Sequence, residues 1–145
     1  MKIAVGADHA GFELKQRLAQ SLVRHGHEVL DLGTHDTQSV DYPDFAGAVA
    51  DAVSQGRAER GLLICGTGIG MSIRANREPA VRAAKCNDPF EARMARAHND
   101  ANVLCLGARV IDASVAEELL NIFLATPFEG GRHAARVAKL ASDGC

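Results

Sequence analysis

Apolar residues along the chain alternate between short continuous runs and stripes with helical spacing. The runs predict five strands, at residues 2–6, 28–32, 61–65, 81–86 and 103–107, each apolar enough to be buried on both faces. Between the first two runs, Leu14, Leu18 and Leu22 recur every fourth residue, which predicts a helix with one buried face. The alternation of strands and helices predicts an α/β fold, with a parallel sheet covered by helices on both faces.

Further helices are indicated by apolar stripes and by residues that favour helix ends. The second and third stripes are Phe45, Val49 and Val53, and Val115, Leu119, Leu120 and Phe123. Asp88, followed by Pro89 and then Glu91, is typical of a helix start. Ser114 with Glu117 predicts a capping box, and a last helix is expected over residues 131–140.

Composition excludes several classes of protein and of site. A chain of 145 residues with 47% apolar and 23% charged residues is expected to form one globular domain. The net charge of −2 indicates neither a nucleic-acid nor a membrane partner, and no apolar run approaches the roughly 20 residues of a spanning helix. No signal peptide is recognised at the start. The four cysteines (Cys65, Cys86, Cys105 and Cys145) form no C-x-x-C pair, so we expect no zinc site and a reducing, cytoplasmic setting.

The most informative segment joins the third strand to the next helix. It reads Cys65, Gly66, Thr67, Gly68, Ile69, Gly70. Glycines allow a ligand to approach the backbone, and the free N–H groups of a helix start attract an anion or an oxyanion formed during a reaction. The same groups would favour the reactive thiolate of Cys65. The alternative is a tight turn with a buried cysteine. The segment could also be compared with two nucleotide-binding motifs, the dinucleotide fingerprint and the P-loop. Both matches are weak, because the third glycine comes one residue early for the fingerprint and the lysine of a P-loop is missing.

Other polar residues also follow predicted strands, where ligands bind in open α/β sheets. These are Asp8 and His9 after the first strand, Asn87 and Asp88 after the fourth, and Arg109 after the fifth. Together with Cys65 and the glycine segment they could share one crevice suited to a small polar substrate with an anionic group. The alternative for the first pair is that Asp8 only caps a helix and that His9 is a solvated loop residue. Cys86 and Cys105 are expected in the core, and Cys145 as a free terminal thiol.

His98 and Asn99 are expected at the opposite edge of the sheet, because they follow a helix and precede a strand. They are therefore either structural or part of the site of a second subunit. Arg132 and Arg136 lie four residues apart on the last predicted helix. Such a pair can bind phosphate oxygens, although two exposed arginines also form an ordinary solvated face.

Taken in order, these segments resemble the ribose-5-phosphate isomerase type B family, which also includes the subunits of galactose-6-phosphate isomerase. The matching segments are GADHAGF at 6–12, DYP at 41–43, ICGTGIG at 64–70, HNDAN at 98–102 and EGGRH at 129–133. The resemblance implies a Rossmann-like three-layer α/β/α sandwich, a homodimer or a tetramer with shared active sites, and an aldose–ketose isomerase that needs neither metal nor cofactor.

The resemblance also implies a role for each matching residue. Cys65 would be the general base, and His98 would open the sugar ring from the neighbouring subunit. Thr67 would hold the enediolate oxygen together with the amides of Gly66, Gly68, Ile69 and Gly70. Asp8 would hold sugar hydroxyls, and Asn99 would contact the sugar. The phosphate would be bound by His9, Arg109, Arg132 and Arg136, and Tyr42 is a further candidate contact.

The resemblance favours one substrate without excluding others. Some family members use a carboxylate as base, and Cys65 places this chain in the cysteine subgroup. The joint presence of Cys65, His98 and the 129–133 segment favours ribose 5-phosphate over galactose 6-phosphate. Allose 6-phosphate and a four-carbon sugar phosphate remain open. A non-catalytic nucleotide-binding α/β module is the alternative from a different functional class.

Overall fold

The structure is a computed structural model that describes residues 1–141, and a five-stranded parallel sheet lies at its centre. The strands are β1 (Lys2–Ala7), β2 (Glu28–Asp31), β3 (Arg60–Cys65), β4 (Ala83–Lys85) and β5 (Val103–Gly107). The helices are α1 (Phe12–Arg24), α2 (Tyr42–Ser54), α3 (Ile69–Ala75), α4 (Pro89–Ala97), α5 (Ala113–Ala125) and α6 (Arg132–Leu140). None of the helices within residues 1–141 has the length and apolar character needed to cross a membrane. Cys145 lies outside the described residues.

Two hydrophobic cores, one on each face of the sheet, confirm the predicted three-layer α/β/α fold. Side chains of a strand point alternately to the two faces, so Ile64 packs with the buried stripes of α1 and α5. Its neighbours Leu63 and Cys65 pack on the other face, with Val49 of α2 and Met71 of α3. The α1 stripe at Leu14, Leu18 and Leu22 is buried as its spacing predicts.

The edge of the sheet and one helix start differ from the expectations. β4 covers residues 83–85 instead of 81–86, because the N–H of Val81 donates to the carbonyl of Glu78 in a turn that precedes the strand. The capping box at Ser114 is wrong, since Asp112 precedes the helix and Ser114 lies inside it. Glu117 instead accepts a hydrogen bond of 2.7 Å from the Ser21 hydroxyl. The predicted start at Asp88 is confirmed, because its side chain accepts from the N–H of Glu91 at 2.8 Å.

Strand order determines which loops meet. The sheet order is β2-β1-β3-β5-β4, so β1, β3 and β5 are neighbours at its centre. In their registers, Ala7 pairs with Ile64 and Cys65 pairs with Gly107. The three strands therefore end side by side, and the segments that follow them form one surface, which we call the carboxyl edge. The opposite end of the strands is the amino edge.

Candidate active site

Asp8 begins the loop that leads from β1 into α1. Its N–H donates to the carbonyl of Ile64 at 3.2 Å, and its Oδ1 accepts from the N–H groups of Ala10 and Gly11 at 3.0 and 3.1 Å. A Cβ at Gly11 would collide with the Ile64 carbonyl, so glycine is required for the start of α1 to approach β3 this closely. Asp8 therefore holds the turn that precedes α1 through one oxygen, and it does not cap the helix itself, because no side chain accepts from the first N–H groups of α1. A carboxylate has a second oxygen, so holding the turn and contacting a substrate are compatible.

His9 is held in one tautomer by the loop after β2. Its Nδ1 accepts a hydrogen bond of 3.2 Å from the N–H of Val40. A backbone N–H can only donate, so Nδ1 is unprotonated and the ring proton is on Nε2. The other end of the loop is tied to β1, where Ala7 donates to the Gly33 carbonyl and Thr34 donates to the Ala7 carbonyl, both at 2.8 Å. The loop thus presents His9 as a neutral donor through Nε2.

Cys65 ends β3 with its sulfur beside a backbone donor. Sγ accepts from the N–H of Gly68 at 3.1 Å, and the residue is 5% exposed. Gly68 adopts φ +81°, and a Cβ there would lie 3.1 Å from the Leu106 carbonyl oxygen, so this turn requires glycine. Thr67 is exposed, and its Oγ1 accepts from the N–H of Ile69 at 3.2 Å. The hydrogen bond to Sγ stabilises negative charge on sulfur, which is the form that acts as a base.

The other two described cysteines are buried in the core. Burial, followed by the nearby charges of Glu91 and Asp88, raises the pKa of the Cys86 thiol to about 12. Burial also raises the pKa of the fully buried Cys105. Both thiols stay protonated at neutral pH and lie in the core, as expected.

Arg109 and Tyr42 enclose the glycine segment from two sides. The N–H of Arg109 donates to the Gly66 carbonyl at 3.0 Å, and a Cβ on Gly66 would lie 3.1 Å from its Nη1. The Tyr42 ring lies so close to Gly70 that a Cβ there would collide with it. The carboxyl edge therefore brings together the predicted residues Asp8, His9, Cys65, Gly66, Thr67, Gly68, Ile69, Gly70 and Arg109, with Tyr42 beside them.

Asn87 and Asp88 form hydrogen bonds at the start of α4. The N–H of Asn87 donates to Glu91 at 2.7 Å, and its side chain accepts from Lys85 at 2.7 Å. Asp88 caps the same helix. Within the described residues, no hydrogen bond joins Asn87 or Asp88 to the glycine segment.

His98 and Asn99 lie at the amino edge, as their position between a helix and a strand predicts. The loop that contains them ends at Asn102, whose carbonyl accepts from the N–H of Gly61 at 2.8 Å, near the start of β3. Cys65 ends the same six-residue strand. At about 3.3 Å per residue, the two ends of β3 are roughly 16 Å apart. His98 of one chain is therefore not placed to act on a sugar held at Cys65 of the same chain.

The buried side chain of Arg96 holds this loop in place. Its Nη1 donates to Asp100 Oδ1 at 2.8 Å and to the Ala101 carbonyl at 2.7 Å. Its Nε donates to the Thr126 carbonyl at 3.2 Å, which ties the loop to the segment that leads into α6. Asp100 adopts φ +47°, a backbone conformation that these bonds support. The backbone that carries His98 is thus fixed from two sides.

His98 forms a cluster with Glu129 and His133. The two imidazole rings are stacked, with centroids 4.1 Å apart and planes 15° apart. Glu129 Oε1 lies 3.8 Å from His98 Nε2 and 3.6 Å from His133 Nε2. These three groups have the spacing of metal ligands. A metal ion must lie near the plane of each histidine that binds it, which two nearly parallel stacked rings cannot both satisfy. The cluster therefore fits a stacked pair better than a metal site.

Arg132 and Arg136 are exposed on α6, whose one buried residue is His133. The two arginines thus accompany His98 and Asn99 and are separate from the carboxyl edge. Residue patterns alone assign no role to His133 or Glu129. The spacing of four residues between Glu129 and His133 is the one sequence signal of this cluster, and it does not reveal the contact with His98. The N–H of Val40 could not have been found, because a backbone donor leaves no mark in the sequence.

Comparison with known proteins places this arrangement in a family. The model of the family described as Ribose/Galactose Isomerase matches residues 3–140. The chain belongs to the ribose/galactose isomerase family. It is 45% identical over 141 residues to ribose-5-phosphate isomerase B of Escherichia coli K12, and the match covers 97% of this chain and 95% of that protein.

Members of the ribose/galactose isomerase family share the fold but not one substrate. The solved structure of ribose-5-phosphate isomerase B from Clostridium thermocellum matches with a TM-score of 0.96 and 51% identity, covering 97% of this chain and 95% of that one. A D-erythrulose-4-phosphate isomerase from Pectobacterium atrosepticum is 43% identical over 97% of this chain and 93% of its own length. Membership therefore establishes a sugar phosphate isomerase.

Proposed function

We propose that this enzyme interconverts ribose 5-phosphate and ribulose 5-phosphate through an enediolate, with Cys65 as the base. The observation that carries the proposal is the position of the Cys65 sulfur, 3.1 Å from the Gly68 N–H at the centre of the carboxyl edge. The N–H groups of Asp8 and Arg109 donate to the carbonyls of Ile64 and Gly66, the two chain neighbours of Cys65. A small substrate there would meet a base, hydroxyl acceptors and a cation together.

In the reaction, Cys65 removes the proton from C2 of the open-chain aldose. That proton is returned to C1, and the O2 hydroxyl proton moves to O1, so that substrate and product are isomers. The intermediate carries negative charge on oxygen, which the Thr67 hydroxyl and the amides of residues 66–70 stabilise. General base catalysis typically contributes about 10²–10⁴-fold, and one oxyanion donor about 10²–10³-fold.

The active site is completed by a second copy of the chain. His98, Asn99, Arg132 and Arg136 stand at the amino edge and cannot reach Cys65 within one subunit. A two-fold axis that sets the amino edge of one chain against the carboxyl edge of another would form two equal sites. Two surfaces favour such contact. Most of α6 is exposed, and Tyr42, Ile69 and Ile73 are 40%, 52% and 64% exposed beside the glycine segment.

The phosphate is bound by donors from both subunits. His9 donates through Nε2, since its Nδ1 is occupied by Val40. Arg109 of the same chain and Arg132 and Arg136 of the partner subunit supply guanidinium groups, which match phosphate oxygens in geometry and charge. Three cations against one dianion favour a phosphorylated sugar over the free sugar.

A four-carbon sugar phosphate is the second candidate substrate, because one relative is named for D-erythrulose 4-phosphate. The test is a comparison of kcat/KM for ribose 5-phosphate, allose 6-phosphate, galactose 6-phosphate and erythrose 4-phosphate. We expect the highest value for ribose 5-phosphate. A higher value for any of the others would replace ribose 5-phosphate as the substrate and leave the isomerase chemistry in place.

A further inference from the structure

His133 has no part in the proposed reaction, yet it is the one buried residue of α6. The residue is 6% exposed, and its Nε2 is buried without a hydrogen-bond partner. A buried polar atom without a partner is costly, so a residue kept in this state calls for an explanation. The face of His133 is covered by the ring of His98 at 4.1 Å.

We propose that His133 is a positioning residue for sugar-ring opening: its buried ring is the platform that orients the His98 imidazole, with Glu129 supplying negative charge to the pair. This inference rests on the proposed function, in which His98 opens the ring. His133 would act through His98 and would not touch the substrate.

The orientation of His98 needs such a platform. Its backbone is fixed by Arg96, but its side chain is 36% exposed and could otherwise turn about its own torsions. A flat ring buried at 4.1 Å and 15° restricts the imidazole to one plane. Small errors in the placement of a catalytic group reduce rates strongly, so a fixed plane directly benefits catalysis.

The charge that His98 carries during ring opening is compatible with a neutral His133. His98 takes the proton of the O1 hydroxyl, the bond between C1 and the ring oxygen breaks with its electrons moving to that oxygen, and the proton is delivered there. His98 is cationic between these events and regains its neutral form at the end. Burial, and then the neighbouring His98 and Arg132, lower the pKa of His133 below its ordinary value. A neutral His133 neither repels the His98 cation nor competes for its proton, and Glu129 lies 3.8 Å from that cation.

The first test is a double-mutant cycle with ribose 5-phosphate. His133→Leu removes the flat ring but keeps an apolar side chain in the buried position, and His133→Phe restores a flat ring without nitrogen. We expect His133→Leu to lower kcat about tenfold or more while KM changes less than twofold, and His133→Phe to recover most of the loss. In the His98→Ala background, His133→Leu should have no further effect. Additive losses, or equal losses for Leu and Phe, would overturn the inference.

The second test separates ring opening from proton transfer at carbon. Erythrose 4-phosphate cannot close a five-membered ring, because its O4 carries the phosphate, so its isomerisation needs no ring opening. If this sugar is turned over, His133→Leu and His98→Ala should slow ribose 5-phosphate selectively. Equal loss on both sugars would contradict a role in ring opening. If His98→Ala itself leaves ribose 5-phosphate turnover unchanged, the proposed function of His98 fails, and the role of His133 fails with it. Arg93→Ala, on the exposed face of α4, is the control and should resemble the wild type on both sugars.

Discussion

Mixing two inactive variants tests whether the active site is shared. Cys65→Ala removes the proposed base at the carboxyl edge, and His98→Ala removes the proposed ring-opening group at the amino edge. Because β3 separates these edges by roughly 16 Å, each site should combine Cys65 of one chain with His98 of the other. A mixed dimer then has one site with both residues intact and one site with neither.

The expected recovery follows from random pairing of the two variants. Random pairing makes half of the dimers mixed, and each mixed dimer has one working site of two, so about a quarter of wild-type activity should return. The assay is aldose–ketose conversion after subunit exchange, which is verified with two different tags. Cys65→Ala mixed with Arg109→Ala is the matched control, because both residues belong to the same edge and no intact site can form. Verified exchange without recovery would refute the shared site.

Three further predictions concern the His9 contact, the dependence of activity on metal ions and the stability of the fold at acidic pH. Val40→Pro removes the N–H that binds His9 Nδ1, and should raise KM by about 2–10-fold, as one hydrogen bond implies, whereas Val40→Ala keeps the N–H and should not. Equal KM values, or nitrogen NMR showing the His9 proton on Nδ1, would disprove this contact. Activity should survive exhaustive EDTA treatment, and a loss restored by a divalent ion would contradict the metal-free mechanism. Because the pKa of His133 is lowered in the fold, the unfolded chain binds its proton more readily below pH 6.5, so stability should fall as the pH decreases through that value. Urea unfolding at two pH values should show a smaller decrease for His133→Phe than for the wild type.

The sequence predicts the layers of the fold because its apolar periods are clear. The stripe at Leu14, Leu18 and Leu22 is buried as its spacing requires. Boundaries are less predictable where two residues compete for one role. Asp112 and Ser114 are both good caps, and the choice of Asp112 depends on how α5 joins the loop after β5. The limits of β4 depend on which of its residues pair with β5, which local sequence does not specify.

The candidate site is predictable from sequence where a glycine pattern or a strand end marks it. Cys65 ends a strand and Arg109 follows one, and the alternation of helix and strand is enough to assign His98 to the amino edge. The stack of His98 on His133 depends on how α6 packs against the end of α4, and the tautomer of His9 depends on a backbone N–H. Neither contact has a counterpart in residue spacing, so only the three-dimensional arrangement reveals them.

The central claim, that Cys65 moves the proton between C2 and C1, is tested most directly by the turnover of Cys65→Ala. The variant should lose at least about 100-fold in kcat with ribose 5-phosphate while it stays folded and still binds the substrate. Cys86→Ala is the matched control, because the same substitution at a buried thiol with a raised pKa should leave the chemistry intact. Near-normal turnover of Cys65→Ala would contradict the assignment.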